Sequence, residues 1–142
     1  MALNGYYIEE LEEGMTAAFG KTITDADILM FAGVSGDTNP VHLNEEFAQG
    51  TSFAGRIAHG MLTASLISTV LGTKLPGPGC IYLSQSLKFL APVRAGETVR
   101  AEVTIKSIER ERRRVLFETV CKVGGKNVLE GEALTMVPRR PT

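Results

Sequence analysis

The 142-residue sequence predicts an α+β fold in a single domain, with one long buried helix against a mostly antiparallel sheet. Three observations carry this. Residues 59–71 place Met61, Leu62, Ala64, Leu66, Ile67, Val70 and Leu71 on nearly every face of a helix, so other structure must wrap around it. The second half holds four strand-length segments, 80–90, 97–108, 114–123 and 127–137, with alternation clearest at Val99, Ala101, Val103, Ile105 and at Val115, Phe117, Thr119, Cys121. Gly124-Gly125 between the last two segments marks a tight hairpin, which makes those neighbours antiparallel.

The remaining elements follow in chain order. Residues 15–23 read as a first strand of modest quality. Thr24 then opens a helix, because its hydroxyl can accept from the Asp27 amide while Asp25 and Asp27 suit the positive end of the helix dipole. Ile28, Leu29, Phe31 and Ala32 supply its buried side, and Gly33 and Gly36 weaken it. Asn39-Pro40 is a turn signal, since proline disfavours helical geometry at the residue before it. Asn44, Glu45, Glu46 and Phe47 form a short capped turn, and Gly72 is the expected stop of the buried helix. Leu75-Pro76-Gly77-Pro78-Gly79 is a sharp loop. Glu109 to Arg114 carries no apolar residue and reads as an exposed hairpin connection.

Composition narrows the function. Fifteen Lys and Arg against sixteen Asp and Glu leave a formal charge of -1, so nothing draws the chain globally to nucleic acid or to an anionic membrane. The Arg-rich connection, Arg110, Arg112, Arg113 and Arg114, lacks interleaved aromatics and a DNA-binding motif around it. Cys80 and Cys121 are far apart, without zinc-like spacing, and read as small apolar core residues. Met1 to Glu13 shows no secretory signal, and residues 60–72 are too short and too polar to span a bilayer, so the expected location is the cytoplasm.

The chemistry concentrates in Asp37-Thr38-Asn39-Pro40-Val41-His42, followed by Arg56-Ile57-Ala58-His59-Gly60-Met61. An ionised Asp only accepts hydrogen bonds, whereas His accepts or donates a proton near neutrality. Held on one rigid turn, Asp37 and His42 can share a water. That is equipment for adding or removing water. By turn chemistry alone Asp37-x-Asn39-Pro40 is an ordinary Asx/Pro turn, and His42, His59-Gly60 and the later strand motif are what give it a functional reading.

Together with Ile81-Tyr82-Leu83-x-Gln85-x-Leu87-x-Phe89 leading to Pro92-Val93, these motifs resemble the MaoC-like hot-dog hydratases. Within them the chain is similar to the short, single-domain (R)-specific enoyl-CoA hydratases, over about Leu11 to Pro138. The resemblance implies a hot-dog domain over 1–142 whose sheet wraps the helix starting near His59, and a homodimer with active sites near the subunit interface. It also implies that Asp37 and His42 are the catalytic acid/base pair and that Asn39 is the hydratase-motif asparagine. By the same likeness, the Gly60 N–H binds the thioester oxygen. His59 is expected to support the helix start, and Ser68 lies where relatives can have a polar pocket residue. Ser65 is expected only to bond the carbonyl one turn earlier.

The implied reaction is reversible hydration of a trans-2-enoyl-CoA, or of the same acyl group on acyl carrier protein, without metal or redox cofactor. Coenzyme A enters as part of the substrate. Its phosphates could meet Arg56, Lys88 or the Arg-rich connection. Two other readings use the same fold: a thioesterase cutting the C–S bond, and a non-catalytic acyl-thioester binding protein.

Overall fold

The computed structural model describes residues 5–142. Met1–Asn4, which belong to the N-terminal stretch and to the expected domain, lie outside the described residues. Six strands form one antiparallel sheet: β1 (Thr16–Thr22), β2 (Ile81–Gln85), β3 (Lys88–Phe89), β4 (Thr98–Glu109), β5 (Arg114–Val123) and β6 (Lys126–Met136). The order across it is β1-β4-β5-β6-β2, with β3 also paired to β6. Among the described residues four α-helices accompany it, α1 (Asp25–Ser35), α2 (Pro40–Leu43), α3 (Glu45–Gln49) and α4 (Gly60–Thr73), with a 3-10 turn at Ile8–Glu10. This is the hot-dog arrangement, with α4 lying across the sheet on β4 and flanked by β1 and β5.

The alternation in β4 and β5 does what period-two patterning requires, because Val99, Ala101, Val103, Ile105, Val115, Phe117 and Cys121 are all fully or nearly fully buried. Their partners on α4 are Leu62, Leu66, Ile67, Val70 and Leu71. Burial of α4 is incomplete. Met61, Ser65, Ser68, Gly72 and Thr73 form an exposed stripe along it, so the rest of the chain leaves one side of the helix uncovered. The helix runs through Gly72 to Thr73 and is capped at Lys74, whose N–H bonds the Val70 carbonyl. Gly72 is therefore not its stop: a glycine ends a helix when it takes a left-handed conformation, and Gly36, at φ 77°, does that for α1. Gly33 leaves α1 unbroken.

The segment 80–90 is two strands rather than one. At Ser86 the backbone leaves the ladder and presses against β6, where the Ser86 hydroxyl accepts the Glu132 N–H at 2.9 Å and the Ser86 N–H donates to the Glu132 carbonyl at 2.9 Å. The neighbour beneath is Gly131. A Cβ built there would stand 1.8 Å from the Ser86 carbonyl oxygen, so this crossing exists only because residue 131 has no side chain. The crossing restarts the strand as β3 and brings Phe89 opposite Leu129.

The hairpin at Gly124-Gly125 has positive φ at both residues, 57° and 80°, as the tight turn demands. At the other end of β5, the Arg-rich connection is more than a solvated loop. Arg110 donates to the carbonyls of Ile8 and Leu11 at 2.7 and 2.8 Å and so ties the N-terminal segment to the sheet. Arg114 donates to the Arg112 carbonyl, and Arg113 to the Met136 sulfur. This end lies seven residues along β6 from Leu129, about 24 Å at strand rise.

Two predictions follow from this packing. Gly131→Ala is expected to lower stability by about 3 kcal/mol, the upper range for forcing a methyl into packed backbone, whereas Gly33→Ala, with nothing within 4 Å of its Cβ, gains up to about 1 kcal/mol. Thermal unfolding of the two variants checks this. The second concerns the α1 cap, where the Lys21 ammonium, 2.9 Å away, and the Thr24 N–H hold the Asp27 carboxyl below the ordinary carboxylate range. A depressed folded pKa gives stability that is full above the unfolded pKa and lost as pH falls through the folded one. Asp27→Asn should thus lower Tm at neutral pH, with the gap to the parent closing in acid.

Candidate active site

The turn after α1 is built from its own polar groups. The Asp37 N–H donates to the Ser35 hydroxyl at 3.1 Å, and the Asp37 carboxylate accepts the Asn39 N–H at 3.2 Å. Asn39 serves twice. Its backbone orients the Asp37 carboxylate, while its side-chain oxygen caps α2 by accepting the Val41 N–H at 3.1 Å. Pro40 at the first helical position gives up no hydrogen bond there. One turn later α2 delivers His42, which is buried at 8% exposure.

Both histidines are fixed by carbonyls. His42 Nδ1 lies 2.8 Å from the Ile57 carbonyl oxygen, which can only accept, so the proton sits on Nδ1 and the Nε2 lone pair is left for chemistry. His59 Nε2 likewise donates to the Asp37 carbonyl at 2.9 Å. The two rings stack with centroids 3.9 Å apart, and Phe31 packs on His59 from 4.8 Å. His59 Nδ1 is buried without a hydrogen-bond partner, so His59 does not cap α4 through its side chain. It packs, and it holds the carbonyl of Asp37.

One donor atom each from Asp37, His42 and His59 falls within 4.8 Å of the others. Two hydrogen bonds of about 2.8 Å span up to about 5.6 Å, so the Asp37 carboxylate and the His42 ring are near enough to share a single water. These three also form the group best placed, among the described residues, to meet a metal ion. Stacking works against that use, because the in-plane lone pairs of stacked imidazoles run side by side and do not converge on one ion.

Beside this group opens a cavity of about 470 Å³, toward the small end for ligand pockets. Asp37, Phe53, His59, Gly60, Met61 and Phe89 are among its lining residues. His42 does not itself line the cavity; its ligand atom lies within 4.8 Å of those of Asp37 and His59, which do. Gly60 is the first residue of α4, and its N–H makes no hydrogen bond among the described residues, as expected of a helix's first turn. A carbonyl oxygen in the cavity could take that bond and gain from the helix dipole.

Of the residues singled out in the sequence, Asp37, Asn39, His42, His59 and Gly60 come together. Ser68 does not. It lies on the exposed stripe of α4, eight residues beyond Gly60 and so about 12 Å along the helix. Ser65 bonds the Leu62 carbonyl, as back-bonding predicts. Arg56 is occupied: Nε donates to the His42 carbonyl and the terminal nitrogen to Asp25, each at 2.7 Å. Sequence reading left out Phe53 and Thr63 and gave Phe89 no role at the site. Thr63, three residues past Gly60 and facing the same cavity, was reachable from helical spacing.

A MaoC-like domain model matches residues 9–129. The chain is 58% identical over 135 residues to an (R)-specific enoyl-CoA hydratase of Rhodospirillum rubrum, covering 95% of this chain and 94% of that one. It is 51% identical to a 3-hydroxybutyryl-CoA dehydratase of Methylorubrum extorquens, covering 94% and 85%. Among solved structures, the unliganded R-hydratase PhaJ1 of Pseudomonas aeruginosa superposes with a TM-score of 0.90 at 42% identity, covering 96% of this chain and 88% of that one. With its sheet, buried helix and Asp-x-Asn-Pro-x-His turn in the places described, this chain belongs to the MaoC-like hot-dog family.

Proposed function

We propose that the protein is a hydro-lyase that adds water reversibly to trans-2-enoyl-CoA and forms the (R)-3-hydroxyacyl-CoA. The observation that carries this reading is the separation of the Asp37 and His42 donor atoms, within 4.8 Å, beside a cavity that also receives the unpaired Gly60 N–H. The names of the relatives support the substrate and the hand of the product.

Water bound between the pair donates one O–H to the Asp37 carboxylate and the other to His42 Nε2. Its oxygen attacks C3 as one O–H bond breaks, and the π electrons move through C2 onto the thioester oxygen. The Gly60 N–H holds that oxygen while it carries enolate charge. C2 then takes a proton from the pair on the same face, and the enolate collapses back to the thioester. The reaction consumes only water and substrate, so it calls for neither metal nor redox cofactor. The cavity volume suits short to medium acyl chains.

Assembly belongs to the same proposal. Ile81 and Leu83 are 51% and 40% exposed on β2, at the sheet's edge, and α4 carries its own uncovered stripe. An edge strand bearing large apolar side chains invites pairing with a second copy. A homodimer through these surfaces would cover Ser68 with its partner.

Asp37→Asn and His42→Ala should each lose about 10²–10⁴-fold in crotonyl-CoA hydration, followed by loss of enoyl absorbance, with folding retained. Near-normal turnover in either folded variant removes that residue from the mechanism. Coupling to a dehydrogenase selective for (R)-3-hydroxyacyl-CoA reads the hand of the product, and release of free thiol instead would identify a thioesterase. For the assembly, light scattering should give twice the protomer mass for the parent and a monomer for Leu83→Glu.

A further inference from the structure

Gly60 and Phe89 touch in a way that the hydration mechanism above leaves unused. A Cβ built on Gly60 would lie 2.6 Å from Phe89 Cε1, 2.8 Å from Cδ1 and 3.3 Å from Cζ, so the phenyl ring rests on the glycine itself. Gly60 is not needed for an unusual backbone angle, since it sits in ordinary helical conformation at the start of α4. Its lack of a side chain makes room for a ring. That ring comes from a two-residue strand held opposite Leu129, with the next residue anchored by the Leu90 N–H to the Val128 carbonyl at 2.9 Å. Phe89 is still 53% exposed and lines the same cavity as Asp37 and Gly60.

We propose that Phe89 is a positioning residue for the thioester oxygen: its ring, seated on Gly60, blocks one line of approach and so fixes the direction from which the thioester reaches the unpaired N–H. The inference rests on the hydratase reading and deepens it. The bond from the N–H to the developing enolate oxygen depends on distance and direction, so a wall that holds the thioester oxygen in line with the N–H strengthens it where the charge develops. Because that charge appears only in the transition state, loss of the ring should reduce kcat rather than raise KM.

The experiment is a double-mutant cycle on the full-length protein with crotonyl-CoA, using parent, Phe89→Ala, Gly60→Ala and the double variant. Phe89→Tyr serves as the variant that keeps the ring, and circular dichroism and melting monitor the fold. Phe89→Ala is expected to lower kcat at least about tenfold with KM within about threefold, short of the 10²–10³ that follows complete loss of an oxyanion donor. Gly60→Ala keeps the N–H but displaces the ring, so it should fall similarly. The double variant should be no worse than the poorer single one, because both changes empty the same seat. Phe89→Tyr should retain most of the parent kcat.

The proposal is overturned by parent-like kcat in Phe89→Ala or Gly60→Ala, by a loss confined to KM, by losses that multiply in the double variant, or by Phe89→Tyr falling as far as Phe89→Ala. If Phe89→Ala does not fold, Phe89→Leu replaces it under the same criteria. A parent that fails to hydrate crotonyl-CoA defeats the hydratase reading itself. An active parent whose cycle fails defeats only the role of Phe89.

Discussion

Two imidazole N–H groups bonded to two backbone carbonyls hold the site together. His59, at the start of α4, grips the carbonyl of Asp37 on the preceding loop, while His42, on α2, grips the carbonyl of Ile57 just ahead of α4. Each strap runs from one segment to the other, and the rings stack where the straps pass. A single bond of this kind is worth only about 1 kcal/mol net. Crossed, the pair sets the loop against the helix, and each bond also decides which nitrogen keeps its proton. The lone pair on His42 Nε2 follows from where the Ile57 carbonyl points.

The rest of the fold gives those straps something rigid to pull on. Helix α4 can present an unpaired N–H because its apolar sides are locked by β1, β4 and β5, while its position along the sheet is fixed by residues such as Ile67 and Val70, which are fully buried. Outside the site, Arg56 joins the His42 carbonyl to Asp25, and Arg94 joins the carbonyls of Phe53 and Arg56. Cationic side chains on this flank thus organise the backbone of the loop.

Much of this was legible in the residues because it depends on short spacing. Alternation located β4, β5 and β6 to within about a residue, Thr24 and Asp27 marked the start of α1, and Asp37 to His42 was readable as one polar turn. What stayed hidden depends on contacts between distant segments. The break of 80–90 at Ser86 is caused by Gly131 on another strand, and nothing local to Ser86 announces it. Gly72 reads as a helix stop by composition, yet at that point the helix faces open space and continues. Ser68 was read by likeness to relatives as standing where a polar pocket residue can lie, and within this chain it is on the exposed stripe with Met61 and Ser65. The seat of Phe89 on Gly60 joins residues 29 positions apart and has no periodic signature.

The Arg-rich turn matters for how this architecture can be extended. Arg110 ties down the segment around Ile8, the Ile8 N–H bonds the Pro138 carbonyl, and Arg140 pairs with Glu9 and Glu10, so both described chain ends gather at that end of the sheet. The cavity lies toward the opposite end, beside Val128 and Leu129. Polypeptide appended before or after the domain therefore emerges away from the cavity, and a fused module, a tag or a tandem duplicate could be accommodated without remodelling the turn from Asp37 to His42.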